Sequence, residues 1–196
     1  MIGLETMKKI ETEFSGMNAQ QIAVVPLLAS ERMWLVFQEG IHPQYKAKLE
    51  YHVRSCLDIM WGCVFEGNSP IQEEVYQKNL NAINDLADEN DPDAEFITPF
   101  PLYLIDQLFS GILDTDDENR VRTCAAATVR TLDMICDHLF DQIDNSFIID
   151  THPSVLSELN RIENDIMLAK NFPINSSKIV QIRDSYRLLR LVPITI

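Results

Sequence analysis

Residues 43–66, PQYKAKLEYHVRSCLDIMWGCVFE, decide the fold class. Tyr45, Leu49, Val53, Cys56, Met60 and Val64 recur in this stretch at spacings of three or four. A helix places residues at such spacings on one face, whereas a half-buried strand would need alternation by two. Gly67-Asn68 follows as a stop, and Ser69-Pro70-Ile71-Gln72 then gives a capping-box pattern with proline at the first helical position. The next helix is therefore predicted from there to about Leu86.

Working upstream, residues 19–39 (AQQIAVVPLLASERMWLVFQE) read as a mostly apolar helix that Gly40 ends. Pro26 either kinks it or marks its true first turn. Residues 4–14 form a short amphipathic turn or stay loose. Downstream, residues 88–97 (DENDPDAEFI) read as an acidic loop, and Thr98-Pro99 opens a helix to about Leu113. Thr115 and Glu118 have capping-box spacing, and the acids around them suit the positive end of a helix dipole. That helix runs to about Phe140. Thr151-His152-Pro153 and Asn175-Ser176-Ser177 start two more, ending near Lys170 and Arg190, and the apolar tail from Leu191 to Ile196 is predicted to dock on the body. With no internal repeat, low-complexity tract or linker, residues 1–196 are predicted to be a single all-α domain, a bundle of about seven helices.

Hydrophobic residues make up 46% of the 196, enough for a core despite a net charge of −14. Cys56, Cys63, Cys124 and Cys136 form no CxxC pair and sit in apolar helical stretches, where reduced cysteine packs as a small hydrophobe. The first residues contain no apolar run of signal-peptide length, and no stretch is long enough to span a membrane. A cytoplasmic, reducing location is the expectation.

The charge is lopsided. Residues 79–150 hold sixteen of the thirty acids against three of the sixteen bases, a formal −13, while residues 151–196 are slightly basic. Such a field repels nucleic acid and anionic membrane and draws in basic proteins. Its sharpest feature is the series Asp133, Asp137, Asp141 and Asp144, four carboxylates within roughly 80° of one helix face. Like charges at this spacing weaken a helix, and no lysine or arginine interrupts residues 131–150. Either the face is simply solvated, or it is a landing strip for a basic partner. Asp114, Asp116, Asp117 and Glu118 form an adjoining patch, and Asp91, Asp93 and Glu95 a third candidate.

Chemistry-bearing motifs are otherwise sparse. The acids lack the facing second cluster and the basic residues of metal-dependent phosphoryl chemistry, and neither acidic loop has the glycine and glutamate positions of an EF-hand. His52, Cys56 and Cys63 lie on adjacent turns, a spacing that fits core packing better than a zinc site lacking its fourth ligand. His138 and His152 read as surface or cap residues. No metal or other cofactor is expected, and no nucleophile elbow, phosphate loop or HExxH occurs. Glu31-Arg32-Met33 and Leu57-Asp58-Ile59-Met60-Trp61 each place charge on a mostly buried helix, which demands pairing. Arg32 is predicted to pair with Asp58 or Asp106 in a structural network; the sharper alternative is an active-site carboxylate pair.

These same segments, with Ile105-Asp106 and His152-Pro153-Ser154-Val155, resemble the pattern of a bacterial all-helical family of unknown function, the YjaG-like family. The chain is also similar in type to the immunity proteins of bacterial toxin–immunity systems, including contact-dependent growth inhibition. That resemblance implies a cytosolic protein, not an enzyme, that neutralises one cognate basic toxin domain, an RNase or other nuclease, by covering its active-site groove. The rival expectation is a small helical enzyme or ligand-binding protein with an internal pocket around Arg32, Asp58 and Asp106.

Overall fold

From Ile22 to Ala29 the chain carries no polar side chain. A helix apolar on every side belongs at the centre of a bundle, and the structure is organised around this one. The computed structural model describes residues 3–37, 43–67, 70–90, 99–140, 152–171, 173–174 and 176–188, and these contain eight α-helices and no strand. They are α1 (Gly3–Phe14), α2 (Ala19–Phe37), α3 (Pro43–Glu66), α4 (Pro70–Asn90), α5 (Pro99–Leu113), α6 (Asp117–Phe140), α7 (Pro153–Asn171) and α8 (Ser177–Leu188).

Every residue of α2 from Ile22 to Met33 is buried, and α2 packs against α3, α5, α6, α7 and α8. The second framework helix, α6, packs against α1, α2, α5 and α7, while α3 and α4 lie side by side and both touch α5. One hydrophobic core draws side chains from all eight helices, from Ile10 and Phe14 of α1 to Ile179 of α8. Burial of a large aliphatic or aromatic side chain contributes about 1.5–3 kcal/mol, so Leu27, Leu28, Met60, Trp61, Leu108 and Leu132, all essentially inaccessible, hold the bundle together. None of the described helices is long and apolar enough to cross a membrane.

The expected all-α class is correct, and the count of about seven rises to eight because residues 3–14 form a full helix. A turn or two of amphipathic chain does not hold itself in water. It is Ile10 and Phe14, seated in the core, that fix α1 on α6. Pro26 lies well inside α2, not in its first turn. The helix opens instead at Asn18, whose side chain accepts from the Gln21 backbone N–H while Gln21 Oε1 accepts from that of Asn18, both at 2.9 Å. This reciprocal cap satisfies two donors that a helix start otherwise leaves bare. Pro26 cannot donate to the Ile22 carbonyl, and Ser30 Oγ donates to the Pro26 carbonyl at 2.8 Å.

Three further boundaries are set by caps. Asp116, not Thr115, caps α6: its carboxylate accepts from Asn119 N–H at 2.8 Å and its carbonyl from Arg120 N–H. His152 caps α7, with Nδ1 taking the Ser154 N–H at 3.2 Å, and Ser176 caps α8. The α4 helix continues to Asn90, so the acidic stretch predicted as a loop from Asp88 is helical in its first three residues. The rest of that stretch and the apolar tail lie outside the described residues. Gly111 lets α5 close on α6: a Cβ there would meet Cys124 Sγ at 2.9 Å and Thr123 Cγ2 at 3.2 Å.

Candidate functional site

Two arrangements bear on function, an exposed acidic corner and a buried ionic network. The corner is the turn from α5 into α6. Asp114 Oδ1 accepts from the Asp116 N–H at 2.9 Å, and the Asp114 carbonyl accepts from the Arg120 guanidinium. These bonds fold the turn so that Asp117 and Glu118, at the first turn of α6, stand 91% and 84% exposed. Carboxylates there are also favoured by the helix dipole. The structure thus brings Asp114, Asp116, Asp117 and Glu118 together.

All three bases of the acidic segment serve its own helix. Arg120 pairs with Asp117 at 2.5 Å, Arg122 with Glu118 at 3.0 Å and Arg130 with Asp133 at 3.8 Å. Arg120 itself is largely buried, but the carboxylates of these pairs are exposed or half-exposed, and surface pairs at such spacing contribute only about 0–1 kcal/mol. Asp133 is half-buried and partnered, which moderates the stripe at its first member. The side chain of Asp137, and Asp141 and Asp144 entirely, lie outside the described residues, as do Asp91, Asp93 and Glu95.

The network is built on Glu31 and Arg32, consecutive residues of α2 that are almost wholly inaccessible. The pairing predicted for Arg32 is corrected: its partners are Glu158 and Asp165 of α7. Nε and Nη2 reach Glu158 at 3.0 and 2.6 Å, and Nη1 reaches Asp165 at 2.6 Å. Tyr186 of α8 completes the pocket of charge, its ring 4.6 Å from the guanidinium and its hydroxyl donating to Asp165 at 3.1 Å. Asp58 belongs to a different centre, bonded to Arg187 of α8 at 2.6 Å. Asp106 is exposed on α5 and joins neither centre among the described residues.

Glu31 anchors that second centre. Arg54 holds its Oε2 at 2.5 Å, while the Trp61 indole N–H and Arg187 both donate to Oε1, at 3.0 and 2.6 Å. With Arg161 at 3.6 Å from Glu158, the two centres join four carboxylates to four guanidiniums, a formally neutral set. Guanidiniums reaching in from the partly exposed Arg54, Arg161 and Arg187 thus offset the carboxylates that Glu31, Glu158 and Asp165 bury.

Protonation energetics differ across the set. Burial pushes the Asp165 carboxyl up to about 6, and the nearby Glu158 charge adds to this against the pull of Arg32 and the Tyr186 hydroxyl. Burial also opposes the charge on Arg32, but Glu158 and Asp165 outweigh it and hold the guanidinium firmly protonated. Burial, with Asp165 beside it, raises the Tyr186 phenol to about 12, so it stays a donor.

The remaining candidates have structural uses. His52 Nδ1 lies 2.9 Å from Asn79 Oδ1 across the α3–α4 seam, Cys56 is buried with its thiol pushed up to about 12 by desolvation, and Cys63 Sγ lies 3.8 Å from Gln72. Among the described residues no group of three His, Cys, Asp or Glu is placed to hold a metal ion. His138 has its side chain outside the described residues. A shallow depression on α4, lined by Glu73, Gln77, Lys78 and Asp85 among others, includes none of Arg32, Asp58 and Asp106.

Sequence reasoning missed Glu158, Asp165, Tyr186 and Arg187. A signal was there: Glu158 and Asp165 are seven residues apart, hence on one face of α7, and share that face with Val155, Ile162 and Ile166. Acids recurring on an apolar face call for a buried cation. Compared with known proteins, the chain matches no family model, no curated protein and no solved structure.

Proposed function

We propose that this chain is an immunity protein that binds and neutralises a cognate basic toxin domain, an RNase or other nuclease, by covering its substrate groove with an acidic surface. The observation that carries this reading is the α5–α6 corner, where Asp117 and Glu118 project into solvent at the edge of a segment of formal charge −13. Carboxylates so displayed can take the positions that phosphates occupy in a nuclease groove. Charge complementarity of this kind acts mainly on association rate and specificity.

Use of the bases elsewhere in the molecule supports the same reading. Arg32, Arg54, Arg161 and Arg187 are spent on the internal network, and Lys9 and Lys170 tie α1 to α7 through Glu163 and Glu13. These six of the sixteen bases are thus held in ion pairs away from the acidic segment. Among the described residues, Arg32, Asp58 and Asp106 face different surroundings: one enclosed by α7, one at the rim under Arg187, one on the outside of α5.

The test is capture from the native cell at low and high salt, followed by association kinetics with the basic domain recovered. Reversal of the corner, Asp117→Lys with Glu118→Lys, slows association about tenfold or more and flattens its salt dependence. The same holds for Asp133→Lys with Asp137→Lys if the stripe belongs to the contact. Neutralisation and association rate unchanged in both double variants would remove the acidic surface as the site.

A further inference from the structure

The place where Arg187 sits has the composition of a binding site. Its floor is the carboxylate of Glu31, which is wholly inaccessible, and its rim is Asp58, 58% exposed. Arg187 Nη2 donates to one oxygen of each at 2.6 Å, and its Nε donates to Glu31 Oε1 at 3.0 Å. Arg54 on the other Glu31 oxygen and the Trp61 indole N–H on the same one fix the carboxylate independently of Arg187. The receptor therefore belongs to α2 and α3, and only the occupant comes from α8.

The occupant's helix offers little apolar surface to the core. Ile179 is the one fully buried residue of α8 among those described, while Ile182 and Tyr186 are partly covered and the Arg183 and Arg187 side chains keep 19% and 23% of their surface exposed. Twelve residues are too few for a helix to persist alone in water, so α8 keeps its shape and position by docking. Much of that docking is polar: Arg187 on Glu31 and Asp58, Tyr186 on Asp165, and Arg183 against the Trp61 ring at 5.7 Å.

We propose that the Glu31–Asp58 seat is an exchangeable guanidinium site, with Arg187 as its resident and an arginine of a basic partner protein as its competitor. The seat favours guanidinium over ammonium because two nitrogens of the planar fork, Nε and Nη2, lie on Glu31 Oε1 while Nη2 also reaches Asp58, whereas a lysine brings a single nitrogen. Without Arg187 the group Glu31, Asp58 and Arg54 carries a formal −1 and draws in a cation. That the competitor comes from a basic protein rests on the immunity reading above; that the seat accepts an outside guanidinium does not.

The test uses ethylguanidinium, with ethylammonium at equal ionic strength as control. In the full chain carrying Arg187→Ala, ethylguanidinium at tenfold its dissociation constant raises the melting temperature by about 3–5 °C. Ethylammonium does not, and neither ion does so in Arg187→Ala combined with Glu31→Gln. In the unaltered protein, ethylguanidinium speeds amide hydrogen exchange in α8 at least about twofold and leaves α7 unchanged. That arm needs no variant and decides the matter if Arg187→Ala does not fold. Equal responses to the two ions, or α8 exchange indifferent to ethylguanidinium, overturns the proposal. Either result leaves the acidic corner standing, because that surface is read by association rate in the corner double variant.

Discussion

Replacing Asp165 by asparagine changes how stability depends on pH, and the change can be worked out from the network. Arg32 is shared by two buried carboxylates, Glu158 and Asp165, so the inner cluster carries one negative charge too many unless Arg161 at the rim offsets it. Burial holds the Asp165 carboxyl at about 6 in the folded protein, against about 3.9 in an unfolded chain. Between those values the folded state keeps a proton that the unfolded chain has released. The stability contributed by this group is therefore fully present below about pH 4 and is lost as pH rises through about 6. Two units of difference correspond to a limit of about 3 kcal/mol, of which about 2 kcal/mol falls between about pH 4.5 and about pH 7.5.

Asparagine cannot titrate, and it keeps a hydrogen-bonding shape beside Arg32, which retains Glu158. The measurement is urea unfolding of the unaltered protein and of Asp165→Asn, followed by circular dichroism across that pH range. Carboxylates remote from Asp165 titrate alike in both proteins and cancel in the difference. The unaltered protein should lose about 2 kcal/mol relative to Asp165→Asn on going from about pH 4.5 to about pH 7.5. Parallel stability curves would refute the reasoning and mean that Arg32 and Tyr186 hold Asp165 ionised throughout.

Two local predictions concern the α5–α6 corner. Asp116→Ala removes the cap of α6 and costs about 1 kcal/mol, whereas Thr115→Ala stays within about 0.5 kcal/mol of the unaltered protein in the same urea titration. Gly111→Ala forces a methyl against Cys124 Sγ at 2.9 Å, and thermal unfolding should show a loss of about 1–3 kcal/mol unless the helices separate. Leu28→Ala, at the centre of α2, should cost about 2–5 kcal/mol with the same helical content by circular dichroism.

Most of the secondary structure was legible because its causes are local. The apolar spacing from Tyr45 to Val64, the proline at the start of α4 and the Ser176 cap act within a turn or two of chain, so they can be read in order along the sequence. The gathering of acid in residues 79–150 is likewise a property of the sequence alone. So is the demand that Arg32, on a mostly apolar helix, find partners, since an unpaired buried charge is not tolerated.

Which partners they find was decided only by tertiary packing. Arg32 meets Glu158 across 126 residues and Asp58 meets Arg187 across 129, and no periodicity links such positions. Asp58 and Asp106 looked equivalent as candidates for Arg32, yet α7 reaches α2 on the side where Arg32 points, and Asp106 faces outward on α5. The same holds for α1, whose Ile10 and Phe14 gain a helix only when α6 covers them. Local spacing sets what each helix must bury; the rotation and order in which helices pack sets what it is buried against, and that choice rests on the free energy of the whole bundle.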